Sequence, residues 1–167
     1  MGQRYTCQCC GDDHVGVPMN YGSIAPAYVH AIPEKEFDER VALTEDLCVI
    51  DREYFFIRGN IYIPVHDSED DFAWGVWSSV SKENFELMLD NWETEGRERI
   101  IPPAFGYLSL PLPVYPDTMN LNMRTHTMPL DEVPSFEMEP TDHPLAIEQR
   151  EGITMERVHE IAKLVMG

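Results

Sequence analysis

Three runs rich in aromatic and β-branched residues, Leu47 to Asp51, Tyr54 to Val65 and Phe72 to Val80, follow one another across short polar connections. Such residues suit a pleated, half-buried surface, and short connections join antiparallel neighbours. The centre of the chain is therefore expected to be an antiparallel meander. In the second run Tyr54, Phe56, Arg58 and Asn60 alternate with Phe55, Ile57, Gly59 and Ile61; in the third, Phe72, Trp74 and Val76 share a face. A glycine inside a strand pattern marks a bulge, so Arg58-Gly59 is a candidate one. Asp67-Ser68-Glu69-Asp70-Asp71 reads as a solvated acidic turn.

Helical spacing surrounds this centre. Pro33 to Leu43 suits a short helix with Phe37 and Val41 inward and with Glu34 and Glu36 near its amino end. Ser81 is placed to cap a helix in which Phe85, Met88, Leu89 and Trp92 recur at i, i+3, i+4 and i+7. Thr154 is placed to cap a last helix lined by Val158, Ile161, Ala162 and Val165. Between them, proline-punctuated loop is expected around Pro102-Pro103 and from Pro111 to Pro116, with added strands at Asn120 to Met128 and Ser135 to Glu139. The fold class expected is α+β: a mainly antiparallel sheet flanked by two or three helices. With 167 residues, 43% of them hydrophobic, and no linker or repeat, one domain over residues 1–167 is expected, with residues 1–20 as an arm packed on it.

Charge limits the partners. Twelve basic against 30 acidic side chains give a formal charge of -18, which repels nucleic-acid phosphates and anionic lipid. No run approaches the roughly 18 apolar residues a membrane helix needs, and the amino terminus offers no basic stretch followed by an apolar core, so a cytoplasmic protein is expected. The loose myristoylation pattern of Met1 to Thr6 is short enough to arise by chance. Acidity of this degree serves solubility; it also suits a basic protein partner.

The amino terminus carries the strongest chemical signal, Cys7-Gln8-Cys9-Cys10-Gly11-Asp12-Asp13-His14. Two thiolates spaced Cys-x-x-Cys grip one tetrahedral ion from a tight turn, and the glycine after the second permits the left-handed backbone such turns use. A structural zinc site needs four ligands, and Cys7 and Cys10 are joined most readily by His14 nearby and Cys48 at the first strand. Two alternatives stand beside this: Cys48 as a small buried hydrophobe, and Cys9 in place of Cys7 or Cys10. A redox dithiol fits less well, because Gly11-Asp12-Asp13 breaks a helix and sets negative charge beside the thiols.

Other candidates are weaker. Asp142-His143 followed by Pro144, with Glu148 nearby, would make a general-base pair; the plainer reading is a loop in which Asp142 caps Leu145 to Gln149. His126 falls in a strand-like run. No phosphate loop, dinucleotide glycine pattern, nucleophile elbow or His-Glu-x-x-His is present.

Taken in order, Cys7-x-x-Cys10-Gly11-x-x-His14, Asp46-Leu47-Cys48-Val49-Ile50-Asp51, Phe55-Phe56-Ile57-Arg58-Gly59, Trp74-Gly75-Val76-Trp77 and Thr141-Asp142-His143-Pro144-Leu145-Ala146 resemble the bacterial family called domain of unknown function 2199. Glu148-Gln149-Arg150-Glu151-Gly152-Ile153 belongs to the same pattern. The resemblance implies a bacterial protein and favours Cys7 and Cys10 over Cys9 as the working pair. It implies no activity. Cys9 departs from the family pattern.

Two function classes follow. One is a noncatalytic binding protein with structural zinc and a basic partner. The other is a zinc hydrolase whose metal keeps an open position, with His143 or Glu148 as base.

Overall fold

The structure, a computed structural model, describes residues 4–6, 13–15 and 17–166. Strands Arg4–Thr6 (β1) and Asp13–Val15 (β2) pair with each other in a separate two-stranded sheet. The main sheet is built on Tyr54–Ile63 (β6) and Phe72–Val80 (β7), whose antiparallel ladder runs unbroken from Phe55 opposite Val80 to Ile63 opposite Phe72.

That continuity corrects the expected bulge: Arg58 faces Trp77 and Gly59 faces Val76 in regular register. Glycine is needed at 59 for another reason. The first half of β6 pairs on its far edge with Leu47–Ile50 (β5), and Asn60 then passes to Ser135–Met138 (β10), which runs parallel to it. A Cβ at Gly59 would lie 2.5 Å from the Pro134 carbonyl oxygen and 2.8 Å from the Phe136 ring. Its absence lets β10 dock, and the Asn60 amide donates to Pro134 O at 2.9 Å.

The meander is thus embedded in a mixed sheet. Asn20–Tyr21 (β3) is parallel to β7, and Val41–Leu43 (β4) borders β5. Ala104–Tyr107 (β8) and Asn122–His126 (β9) continue antiparallel from β10, and the latter two agree with the strands expected after residue 120. Strand β8 then curls back to β7 at an isolated bridge between Ser78 and Leu108, with the Ser109 amide donating to Trp77 O at 2.8 Å. The order β7, β6, β10, β9, β8 thereby returns to its start. Inside lies the larger core, with Ile61, Ile63, Phe72, Val76, Leu108 and Phe136 fully buried.

A second cluster, Ala25, Val29, Val41, Cys48, Ile50, Phe56 and Trp77, covers the other face of β5, β6 and β7. Strand β7 is therefore buried on both faces, which is why it reads as a nearly continuous apolar run.

The expected helix from Pro33 to Leu43 is shorter. A 3-10 turn at Glu34–Glu36 leads into Phe37–Arg40 (α1), after which Val41 and Leu43 join β4 opposite Ile50 and Cys48. Pairing with β5 prevails over helical spacing because Val41 is β-branched and fills the second cluster. Lys82–Asp90 (α2) is capped by Ser81, whose hydroxyl accepts the Asn84 amide at 3.2 Å. It buries Phe85 and Met88, whereas Leu89 lies on its flank and Trp92 beyond its end, both partly exposed. A short helix, Arg97–Ile100 (α3), follows. Pro144–Glu151 (α4) and Met155–Met166 (α5) close the described chain, and Thr154 accepts the Arg157 amide at 3.2 Å as a cap should. No helix among the described residues is long and apolar enough to cross a membrane.

Candidate functional site

The cysteine segment has a defined frame. In the β1 and β2 pair, Arg4 faces Val15, Tyr5 faces His14 and Thr6 faces Asp13, so residues 7–12 connect two paired strands. His14 occupies the second rung from that connection. Cys7, Cys9 and Cys10 lie outside the described residues. Among the described residues no group of three or more His, Cys, Asp and Glu is placed to hold a metal.

Cys48 is the second residue of β5, opposite Leu43 on one side and Phe56 on the other. It is completely buried among Val41, Ile50, Phe56 and Trp77, and burial pushes its thiol up to about 11. The side chain behaves as a small hydrophobe.

Both candidate bases are engaged in hydrogen bonds within the fold. His143, rather than Asp142, is the cap of α4: its Nδ1 accepts the Leu145 amide at 3.1 Å. That role needs the tautomer with hydrogen on Nε2, which faces Asp117 O at 2.9 Å and Pro116 O at 3.2 Å. The expected Asp142 cap is corrected accordingly; Pro144 at the first helical position leaves the amide of Leu145 for the imidazole to satisfy.

Glu148 is held from both sides. The Tyr115 hydroxyl donates to its Oε1 at 2.6 Å and the Arg157 guanidinium to its Oε2 at 2.8 Å. Trp74 Nε1 in turn donates to the Tyr115 oxygen at 3.1 Å, and the Arg157 guanidinium sits 5.7 Å from the Tyr115 ring centre. Burial first, then the hydrogen bond and negative charge of Glu148, raise the Tyr115 hydroxyl above its ordinary range. Burial opposes the charge on Arg157, but Glu148 and Glu160 hold it and the net direction is upward. This ties β7, the 111–118 loop, α4 and α5 together.

Residues 6–153 match the family described as an uncharacterized protein conserved in bacteria (DUF2199). The chain belongs to that family. No curated protein and no solved structure shows significant similarity to it. The match takes in the cysteine segment, Tyr115 and Glu148 and stops before Arg157.

Two further residues escaped sequence reasoning. Arg97 is buried in α3, and its guanidinium donates to Trp92 O at 2.7 Å, Met128 O at 2.8 Å, Glu132 O at 3.0 Å and Pro129 O at 3.1 Å. Gln149 stands in for a strand at the edge of β10, accepting from Met138 N at 2.7 Å and donating to Phe136 O at 2.8 Å. Their partners are main-chain atoms, which leave no mark in a sequence. His126 pairs with Glu137 at 2.9 Å on the exposed side of β9 and β10.

Proposed function

We propose that this DUF2199 protein is a noncatalytic binding module whose amino-terminal hairpin is closed by one structural zinc ion and whose acidic surface meets a basic protein. The observation that carries the noncatalytic reading is the commitment of His143 and Glu148 to structural hydrogen bonds, which leaves the alternative zinc hydrolase without its bases. The zinc reading is supported by the pairing of Thr6 with Asp13, which joins the two ends of the segment bearing Cys7 and Cys10. In this proposal Cys7, Cys10 and His14 are ligands. Cys48, completely buried, stays in the core, so the fourth ligand is left to the amino-terminal arm. Four protein ligands leave zinc no open site, so its contribution is to fold the arm.

The partner reading rests on the charge of -18. It is tested by recovering partners from host lysate at physiological salt: a protein with a basic contact face is expected, retained at that salt and released as salt rises. A recovered enzyme substrate turned over by the zinc-loaded protein would contradict the noncatalytic reading.

A further inference from the structure

Between α2, α3, β6 and the loop that follows β9 lies a cavity of about 350 Å³. Ile57, Met88, Leu130 and Val133 give it an apolar lining, and Trp92 stands at it with 38% of its surface exposed. Such a volume is at the small end for ligand sites and suits one long side chain with its neighbour.

The polar groups around it decide the charge of an occupant. Its two cations are already engaged: Arg97 donates to four carbonyl oxygens, and Arg58 donates to Asp46 at 2.9 Å and to Glu45 O at 2.7 Å. An anion would therefore have to approach cations already directed at Asp46 and at main-chain oxygens. Glu93, Asp131 and Glu132, by contrast, line the cavity as exposed residues whose carboxylates have no ion pair among the described residues. They form no metal-holding group among the described residues. The Trp92 ring also already receives one guanidinium, that of Arg97 at 5.6 Å from its centre.

We propose that this cavity is where the partner docks, by inserting an arginine side chain whose stem lies on the apolar lining and whose guanidinium meets Trp92 and the three carboxylates. A planar guanidinium suits both an indole face and carboxylate oxygens better than a lysine ammonium does. The inference rests on the basic-partner reading and gives it an address.

The amidated peptide Gly-Leu-Arg-Leu-Arg-Gly serves as probe, with Gln or Glu replacing both arginines as controls. Trp92 reports directly, since Trp74 and Trp77 are buried at 2% and 0% exposure. The arginine peptide is expected to shift Trp92 fluorescence saturably and to bind at least about fivefold more tightly than the Gln peptide, with the Glu peptide weaker still. Neutralising the rim by Glu93→Gln, Asp131→Asn and Glu132→Gln should weaken the arginine peptide at least about fivefold. The same loss of charge elsewhere, by Glu69→Gln, Asp70→Asn and Asp71→Asn, should change it less than about twofold.

Equal loss in both variants, equal binding of the Gln peptide, or no binding of the arginine peptide overturns the proposal. Caesium quenching of Trp92 relative to iodide should exceed the same ratio for free N-acetyl-tryptophanamide, and a ratio that is not raised would contradict the acidic rim without any variant. A basic host partner that binds the rim variant undiminished would sink this site while leaving the partner reading standing.

Discussion

Gly106 of β8 lies so close to Ser79 of β7 that a Cβ on it would collide with the Ser79 carbonyl oxygen and the neighbouring Ser78 hydroxyl. This contact sits where β8 returns to β7, beside the Ser78 and Leu108 bridge and the hydrogen bond from the Tyr107 amide to Ser79 Oγ at 3.1 Å. Gly106→Ala is therefore expected to cost about 2 to 3 kcal/mol, because the obstacle is main chain that cannot swing aside. Gly22→Ala meets nothing within 4 Å and should leave the melting temperature nearly unchanged. Thermal unfolding of the two variants side by side checks this.

Removing the carboxylate at the junction of four segments should be more costly than its exposure suggests. Glu148→Gln leaves Arg157 partly buried with a neutral partner and weakens the bond from Tyr115, and a loss of about 2 to 3 kcal/mol is expected in denaturant unfolding. Tyr115→Phe removes one hydrogen bond and leaves Trp74 Nε1 unpaired, for a loss of about 1 to 2 kcal/mol. Because both act through one network, the double variant should lose less than the sum.

Arg97→Lys tests the buried guanidinium. An ammonium cannot reach four carbonyl oxygens from one fork, so a loss of about 2 to 4 kcal/mol is expected despite the retained charge. Denaturant unfolding measures it. A loss under about 0.5 kcal/mol would mean that the 128–132 loop is held by something else.

What could be read in advance follows from how local each signal is. The caps at Ser81 and Thr154 and the apolar spacing behind them act within one or two turns, so α2 and α5 were legible, as were β6 and β7 from their composition. The return of β8 to β7 depends on Ser78 meeting Leu108, and the entry of β10 on one parallel rung between Ser135 and Asn60; neither has a local pattern. Gly59 announced an unusual backbone approach, but a glycine cannot say whether a bulge or a neighbouring strand requires it. The spacing of Val41 from Phe37 fits a helix, and only the pairing with Ile50 reveals the strand. At the candidate site, Glu148 was visible as an acid near His143, whereas Tyr115 and Arg157 approach it from elsewhere in the chain.

Alkaline pH should loosen the fold through Cys48. Burial raises its thiol from 9.0 to about 11, so its contribution is complete below about pH 9 and is lost as pH rises through about 11. The loss is roughly 2 to 3 kcal/mol over that window, and the raised Tyr115 hydroxyl adds to it above about pH 10. Cys48→Ala should give a flatter stability profile between pH 9 and 11 while being less stable at pH 7. Unfolding free energy against pH for both proteins gives the comparison.

The metal content of the hairpin tests the proposed function most directly. Protein purified reduced and without chelator is expected to carry about one zinc per chain, as is Cys48→Ala, whereas Cys7→Ser and Cys10→Ser carry far less. Elemental analysis of the four proteins would contradict the account if the unaltered chain held far less than one zinc, or if the Cys7 and Cys10 variants kept it in full.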